Sequence, residues 1–319
     1  MSQFPALTLD SASGAALHVY RAVPAVPKAV ILLFHGLAEH AGRYGRVAGI
    51  LADAGYAVYA HDHRGHGSTV ARDAPLRRFA RRDGADAVLL DCRTVFDFAR
   101  SNHPALPLFV FGHSMGGLVA INFAERHARE NTIAGLAIWN SSVKADWQLR
   151  LGAFGLRIEK ALKGSDVASG LFQRAMFDAW AKSIPARRTE FDWLSHDPGA
   201  VDAYIADPLC GFTPTVSMMD DIITLIRKGG APASIAALPD DIPVHLLGGS
   251  EDPVTGKGEA LHWLAGRLRD KGLGDVTLSI VEGARHETLN EMASLRDPAI
   301  ADLIAWMDAR IAQRTGRKR

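Results

Sequence analysis

A chain of 319 residues with 48% hydrophobic and 22% charged side chains has the composition of a folded protein with a sizeable core, which excludes the disordered, collagenous and membrane-spanning classes. Lys plus Arg number 36 against 35 for Asp plus Glu, so charge gives no basis for binding nucleic acid. The only cysteines, Cys92 and Cys210, sit in neither a CxxC nor a Cys/His metal spacing, which excludes a disulfide scaffold and fits a reducing compartment.

Residues 1–10 lack the basic and apolar regions of a leader, and nowhere do eighteen apolar residues run uninterrupted, so the expected location is the cytoplasm, with at most peripheral membrane contact. Short β-branched and aliphatic runs then alternate with segments of helical period. Strands are predicted at 17–23, 29–34, 57–60, 108–111, 136–139, 244–247 and 276–281. Tyr44, Val47, Ile50, Leu51 and Ala54 mark one helix face, and Val88, Cys92, Val95, Phe96 and Ala99 another. Residues 115–129 and 298–314 read as further helices, the second closing the chain ahead of a basic run, Arg314 to Arg319, read as a solvated terminus. The alternation implies an α/β fold with a mostly parallel sheet and crossover helices.

Residues 143–230 break the pattern. They hold large apolar residues at helical spacing, among them Phe154, Leu156, Ile158, Leu171, Phe172, Met176, Phe177 and Trp180, and no convincing strand. A structureless loop of that length is foreign to a compact domain, so an inserted helical cap is expected between core segments 1–142 and 231–319. A lid that holds an acyl chain needs an apolar lining, for which Phe154, Phe177, Trp180 and Met218 are candidates alongside a role in the lid's own core.

The apolar run Leu108-Phe109-Val110-Phe111 enters Gly112-His113-Ser114-Met115-Gly116-Gly117, and a helix-forming sequence follows. Strand, G-x-S-x-G and helix form a nucleophile elbow: the glycines remove Cβ atoms that would clash in a tight turn, and the serine hydroxyl is left exposed. The backbone NH of Met115, at the positive end of the helix, is placed to stabilise an oxyanion.

Serine needs a histidine base, and the histidine a carboxylate. With such an elbow the chain order is nucleophile, acid, base. Of the histidines in the last quarter, His245 lies mid-strand and His262 in a helical run, whereas His286 follows the 276–281 strand in a loop, where parallel sheets carry their chemistry. Asp252 follows the preceding strand and is the expected acid; Glu251 is its local competitor, and Asp240 and Asp241 precede the strand, at the wrong end of the sheet. The loop after 29–34, His35-Gly36-Leu37-Ala38-Glu39-His40, offers the backbone NH of Leu37 as second oxyanion donor, with Gly36 permitting close approach and His35 read as a buried hydrogen-bonder rather than a catalyst.

His35-Gly36-Leu37-Ala38-Glu39-His40-Ala41-Gly42-Arg43-Tyr44, Asp62-His63-Arg64-Gly65-His66-Gly67-Ser68, the 112–117 elbow, and Gly248-Gly249-Ser250-Glu251-Asp252-Pro253-Val254 with Ala284-Arg285-His286-Glu287 carry a resemblance. The chain resembles the monoacylglycerol lipase and lysophospholipase group of α/β hydrolases, related to the serine aminopeptidase-like hydrolases. The resemblance implies an α/β-hydrolase fold, a triad of Ser114, Asp252 and His286, an oxyanion hole at Leu37 and Met115, and neither cofactor nor metal. It also implies a small-molecule ester substrate with an apolar acyl chain, and the cap as the site of any membrane contact. Ser195-His196-Asp197-Pro198 and Ala206-Asp207-Pro208-Leu209 look like the group's cap pattern.

Rival readings stay open at this level. A short-chain carboxylesterase, an amide hydrolase or a non-catalytic receptor on the same fold shares these features. His61-Asp62-His63-Arg64-Gly65-His66 is spaced like a metallo-hydrolase box, but Gly65 stands where that box needs an aspartate ligand, so a structural loop is expected.

Overall fold

The computed structural model describes residues 4–130 and 133–316; Met1 to Gln3 and the end of the basic tail lie outside them. The chain order is β1 (Ala6–Asp10), β2 (Ala15–Ala22), β3 (Ala29–Phe34), α1 (Gly45–Asp53), β4 (Tyr56–His61), β5 (Val70–Ala71), α2 (Gly84–Asn102), β6 (Leu108–His113), α3 (Met115–His127) and β7 (Gly135–Trp139). Six α-helices and one π-helical turn follow before the next strand: α4 (Trp147–Lys163), α5 (Gly170–Phe172), the π-helical turn (Gln173–Phe177), α6 (Asp178–Lys182), α7 (Pro198–Ala206), α8 (Val216–Gly229) and α9 (Pro232–Ile235). The chain ends with β8 (Val244–Gly249), α10 (Glu259–Asp270), β9 (Val276–Val281) and α11 (Ala293–Gly316).

The strands form one sheet in the order β1-β2-β4-β3-β6-β7-β8-β9, with β5 paired to β2. From β4 to β9 all pairs are parallel, and β1 and β2 add an antiparallel edge. β3, β4, β6, β7 and β8 are buried along their whole length, as both faces are covered by helices. Alternate side chains feed two cores. Val30, Leu32 and Phe34 pack with Val88 and Phe96 of α2, Val119 and Phe123 of α3 and Leu261 of α10; Ala29, Ile31 and Leu33 pack with Val47 and Leu51 of α1 and Leu303 and Met307 of α11.

The chain leaves β3 through α1 toward β4 on one side, and leaves β6 through α3 toward β7 on the other. That reversal opens a crevice at the carboxyl ends of β3 and β6, where open parallel sheets bind ligands. Phe34 pairs with Gly112 at its edge, so the 35–40 loop and the elbow emerge side by side.

Two local differences from the expectations have clear causes. Pro298, read as the first residue of the last helix, lies inside it, because the helix begins at Ala293. β1 was not expected: as an edge strand with a weakly alternating sequence, it gains its structure from pairing with β2. Within 143–230, α8 packs on α2 and α3 as well as on α4. No described helix is long and apolar enough to cross a membrane.

Candidate active site

The elbow is set by contacts only glycine permits. A Cβ at Gly112 would lie 2.1 Å from the carbonyl oxygen of Gly116, and one at Gly116 would lie 2.0 Å from that of Phe34. Ser114 between them adopts φ 55° and ψ −119°, a conformation costly for a residue with a Cβ, and is held there by its N–H bond to the carbonyl of Trp139 at 2.9 Å.

His286 reaches this serine from the loop after β9: its Nε2 lies 2.9 Å from Ser114 Oγ and its Nδ1 lies 3.0 Å from Asp252 Oδ1. Because a carboxylate only accepts, Nδ1 carries the proton and Nε2 faces the serine as acceptor. Asp252 is fully buried, and its remaining capacity is filled by the Val254 N–H to Oδ1 at 2.9 Å, and by Thr255 Oγ1 at 3.0 Å and Asn140 Nδ2 at 3.2 Å to Oδ2. Burial pushes this carboxyl up, but the His286 ring and those hydrogen bonds outweigh it and hold Asp252 below its usual range. Asn140 is itself fixed, accepting from Thr288 Oγ1 at 3.0 Å.

Gly36 approaches within the reach of a side chain of Ser114: a Cβ on it would stand 3.3 Å from Ser114 Cβ. Leu37 and Met115 both line the cavity above the serine. Met115 opens α3, so its N–H has no acceptor within the helix.

The other candidates lie elsewhere. Glu251 is half-exposed and faces His196 Nε2 at 3.3 Å. Asp240 pairs with Lys271 ahead of β8, His245 accepts from Trp139 Nε1 at 3.0 Å within the strand, and His262 is exposed on α10. His35 donates from Nδ1 to the Gly36 carbonyl at 2.7 Å and accepts at Nε2 from the His63 N–H at 2.9 Å, so it is neutral with both nitrogens engaged; burial lowers its pKa to about 3. In the 61–66 loop, Asp62 accepts from the N–H groups of Ala41 and Ser68, each at 2.8 Å, and Arg64 Nε bonds Asp91 at 2.7 Å. His61 and His63 come near Cys92, and His40 near Asp207 and Cys210, as donor sets that could hold a metal ion, but none of these residues lines the cavity and burial raises both thiols.

Four groups around the site escaped the sequence reading: Asn140, Thr255, and the ion-paired Glu39 and Glu287. Glu39 and Arg43 lie in the 35–44 segment, which carries the family resemblance and was read for the Leu37 amide and His35, with no role given to either of these two side chains. Their significance depends on a partner 244 residues away, since Arg43 Nη1 and Nη2 bind the two oxygens of Glu287 at 2.6 and 2.7 Å.

A cavity of about 900 Å³ rises from Ser114. Its walls are chiefly apolar, with Leu149, Phe154, Leu156, Phe177, Trp180 and Ile223 contributed by the helices between β7 and β8. On α8 it is Met219 that lines the cavity, whereas Met218 is fully buried in the packing of that helix.

A serine in a strained strand-to-helix turn, at the switch point of a parallel sheet, defines an α/β-hydrolase fold. Residues 25–293 match the family described as serine aminopeptidase, S33, and the chain belongs to that family. It is 32% identical over 287 residues to a monoacylglycerol lipase of Mycolicibacterium smegmatis, covering 88% of each chain, and 28% identical over 289 residues to the monoglyceride lipase of Homo sapiens, covering 90% of this chain and 84% of that one. Its fold is similar to that of a thermostable carboxyl esterase from Bacillus coagulans solved with glycerol, with a TM-score of 0.87 at 24% identity over 96% of this chain and 98% of that one. The protein is a carboxylic ester hydrolase of the serine type.

Proposed function

We propose that the protein hydrolyses monoacylglycerols or closely related single-chain lipid esters through an acyl-enzyme on Ser114. The observation that carries this reading is the chain of hydrogen bonds from Ser114 Oγ through His286 to Asp252, at 2.9 and 3.0 Å, on the floor of an apolar cavity. Ser114 attacks the ester carbonyl while His286 Nε2 takes its proton. The carbonyl oxygen, becoming anionic, turns toward the N–H groups of Leu37 and Met115. His286 then protonates the departing alcohol and activates water for deacylation, while Asp252 stays ionised and orients the ring.

In the same reading residues 143–230 are the cap, and its walls hold the acyl chain. Because α8 is packed on α2 and α3, and α7 is tied to the core by the Tyr204 hydroxyl on the Ala38 carbonyl at 2.9 Å, the part free to reshape the cavity is α4 to α6. The apolar stripe of α4 favours a lipid surface at the cavity mouth: Trp147, Leu151, Phe154, Ile158 and Leu162 are exposed, the first three also line the cavity, and Arg150 and Arg157 flank the stripe.

The test is kcat/KM on p-nitrophenyl esters of two to sixteen carbons, beside a monoacylglycerol and an amino-acid amide, with fluorophosphonate labelling of the wild type and Ser114→Ala. Labelling is expected at Ser114 alone, with preference for medium or long chains. A sharp preference for two to four carbons would sink the lipase reading while leaving an esterase; label elsewhere would sink the triad.

A further inference from the structure

His113, inside the elbow, is one of the most constrained side chains around the serine. Its ring is buried, with Nε2 3.0 Å from the carbonyl oxygen of His286 and Nδ1 3.0 Å from the hydroxyl of Tyr44. A carbonyl only accepts, so Nε2 carries a proton. The Tyr44 hydroxyl has one proton, and 2.8 Å away Glu39 Oε1 offers a carboxylate to receive it. With that proton directed to Glu39, the tyrosine oxygen must accept from Nδ1, and both ring nitrogens then donate.

Charge balance points the same way. Arg43 bridges two buried carboxylates, Glu39 Oε2 at 2.5 Å and Glu287 at 2.6 and 2.7 Å. Two negative charges against one guanidinium leave a buried excess of one negative charge, and His113 Nδ1 stands 3.5 Å from Glu39 Oε1. The other titratable neighbours of this group do not supply the missing charge: Tyr44, Tyr204 and Cys210 are held protonated and neutral by burial, His35 has its ring nitrogens committed as one donor and one acceptor, His40 pairs with Asp207, and His286, whose ring centroid lies 5.0 Å from that of His113, donates from Nδ1 to Asp252 and turns Nε2 to Ser114 as acceptor. Against the opposing effect of burial, Glu39 raises the pKa of His113 above its usual value.

We infer that His113 is an imidazolium at neutral pH that neutralises the Glu39–Arg43–Glu287 cluster and, through its Nε2 proton, fixes the backbone of His286 as a positioning residue for the base. The same cluster reaches the other side of the site, because Glu39 Oε1 accepts the Gly36 N–H at 2.6 Å beside Leu37. His113 thereby joins the loop that supplies an oxyanion donor to the loop that supplies the base. This assignment rests on the reading of Ser114 and His286 as nucleophile and base.

Nitrogen-15 NMR of the histidine-labelled full-length protein reads the protonation state directly. Both ring nitrogens of His113 are expected to carry protons at pH 7.5. The rate of Ser114 acylation by a p-nitrophenyl ester, beside fluorophosphonate labelling of the wild type, is then compared in His113→Gln, which keeps a donor without charge, and His113→Leu, which keeps neither. His113→Leu should acylate about 10²-fold more slowly with KM for a monoacylglycerol little changed, as expected when a reacting group is misplaced by about 1 Å. His113→Gln should recover part of that rate and lose the alkaline fall that deprotonation of His113 imposes on the wild type. A His113 ring with a single N–H, or a His113→Leu enzyme that acylates at the wild-type rate, overturns the inference; failure of the wild type to label at Ser114 overturns the triad reading instead.

Discussion

Replacing Asp252 by asparagine keeps the shape of the buried acid and removes its charge. The new amide has little freedom. Its NH2 cannot occupy the Oδ1 position, where the Val254 N–H, a donor fixed in the backbone, points from 2.9 Å. The amide oxygen therefore takes that place and still accepts from His286 Nδ1, so the histidine keeps its productive tautomer. The NH2 takes the Oδ2 position against the NH2 of Asn140 at 3.2 Å, while the Thr255 hydroxyl can rotate to accept from it. What is lost is the attraction between the carboxylate and the imidazolium that forms in the transition state. At a charge separation of about 4 Å and an effective dielectric constant near 20, that attraction is about 4 kcal/mol. Converted at about 1.36 kcal/mol per tenfold, this predicts a kcat roughly 10³-fold below wild type, less than the ~10⁴-fold seen in a protease where the substitution gives the wrong tautomer. Stopped-flow acylation with a p-nitrophenyl ester, with thermal unfolding to check the fold, measures it. A folded Asp252→Asn enzyme within tenfold of wild type, beside a Glu251→Gln enzyme that has lost activity, would show that the acid is misassigned.

Gly116→Ala tests the elbow: with only 2.0 Å between the added Cβ and the Phe34 carbonyl oxygen, the variant should lose more than about 4 kcal/mol or fail to fold, and a wild-type melting temperature would refute the packing described. Acid should weaken the fold before it protonates most carboxylates. Burial lowers His35, His61 and His66 to about 3, so below pH 6.5 the unfolded chain binds protons that the folded chain refuses, and stability falls as pH falls through that window. Each of these histidines withdraws about 1.6 kcal/mol between pH 6.5 and 5, as does His245, lowered to about 4, and His63, held well below its usual value, acts in the same direction. Glu125, raised to about 9, and Asp221, raised to about 6, have the opposite sign and return roughly 3 kcal/mol between them. The net loss of roughly 3 kcal/mol should appear in urea unfolding at the two pH values; equal stabilities would contradict it.

The residues of the candidate site were largely legible because each sits in a pattern that local chemistry makes recognisable. Ser114 lies between glycines after an apolar strand, and Asp252 and His286 each follow a strand in a loop. Asn140, which follows β7 with φ 50°, offered only a polar residue at a strand end, and its meaning comes from Asp252 on the neighbouring loop. Met218 and Met219 could not be told apart either, because one residue of rotation on α8 decides which faces the cavity.

Period and apolar runs in the sequence by themselves determined the strands at the centre of the sheet, the helices that cover it, and the elbow with its expected partners, since those depend on neighbours a few residues apart. Tertiary structure alone decided the strand order that opens the crevice between β3 and β6, the edge strand β1, and the buried cluster of Glu39, Arg43, His113 and Glu287. The physical reason is range: a buried charge acquires its state from whatever partner the fold brings within about 3 Å, and for Arg43 that partner lies at the far end of the chain.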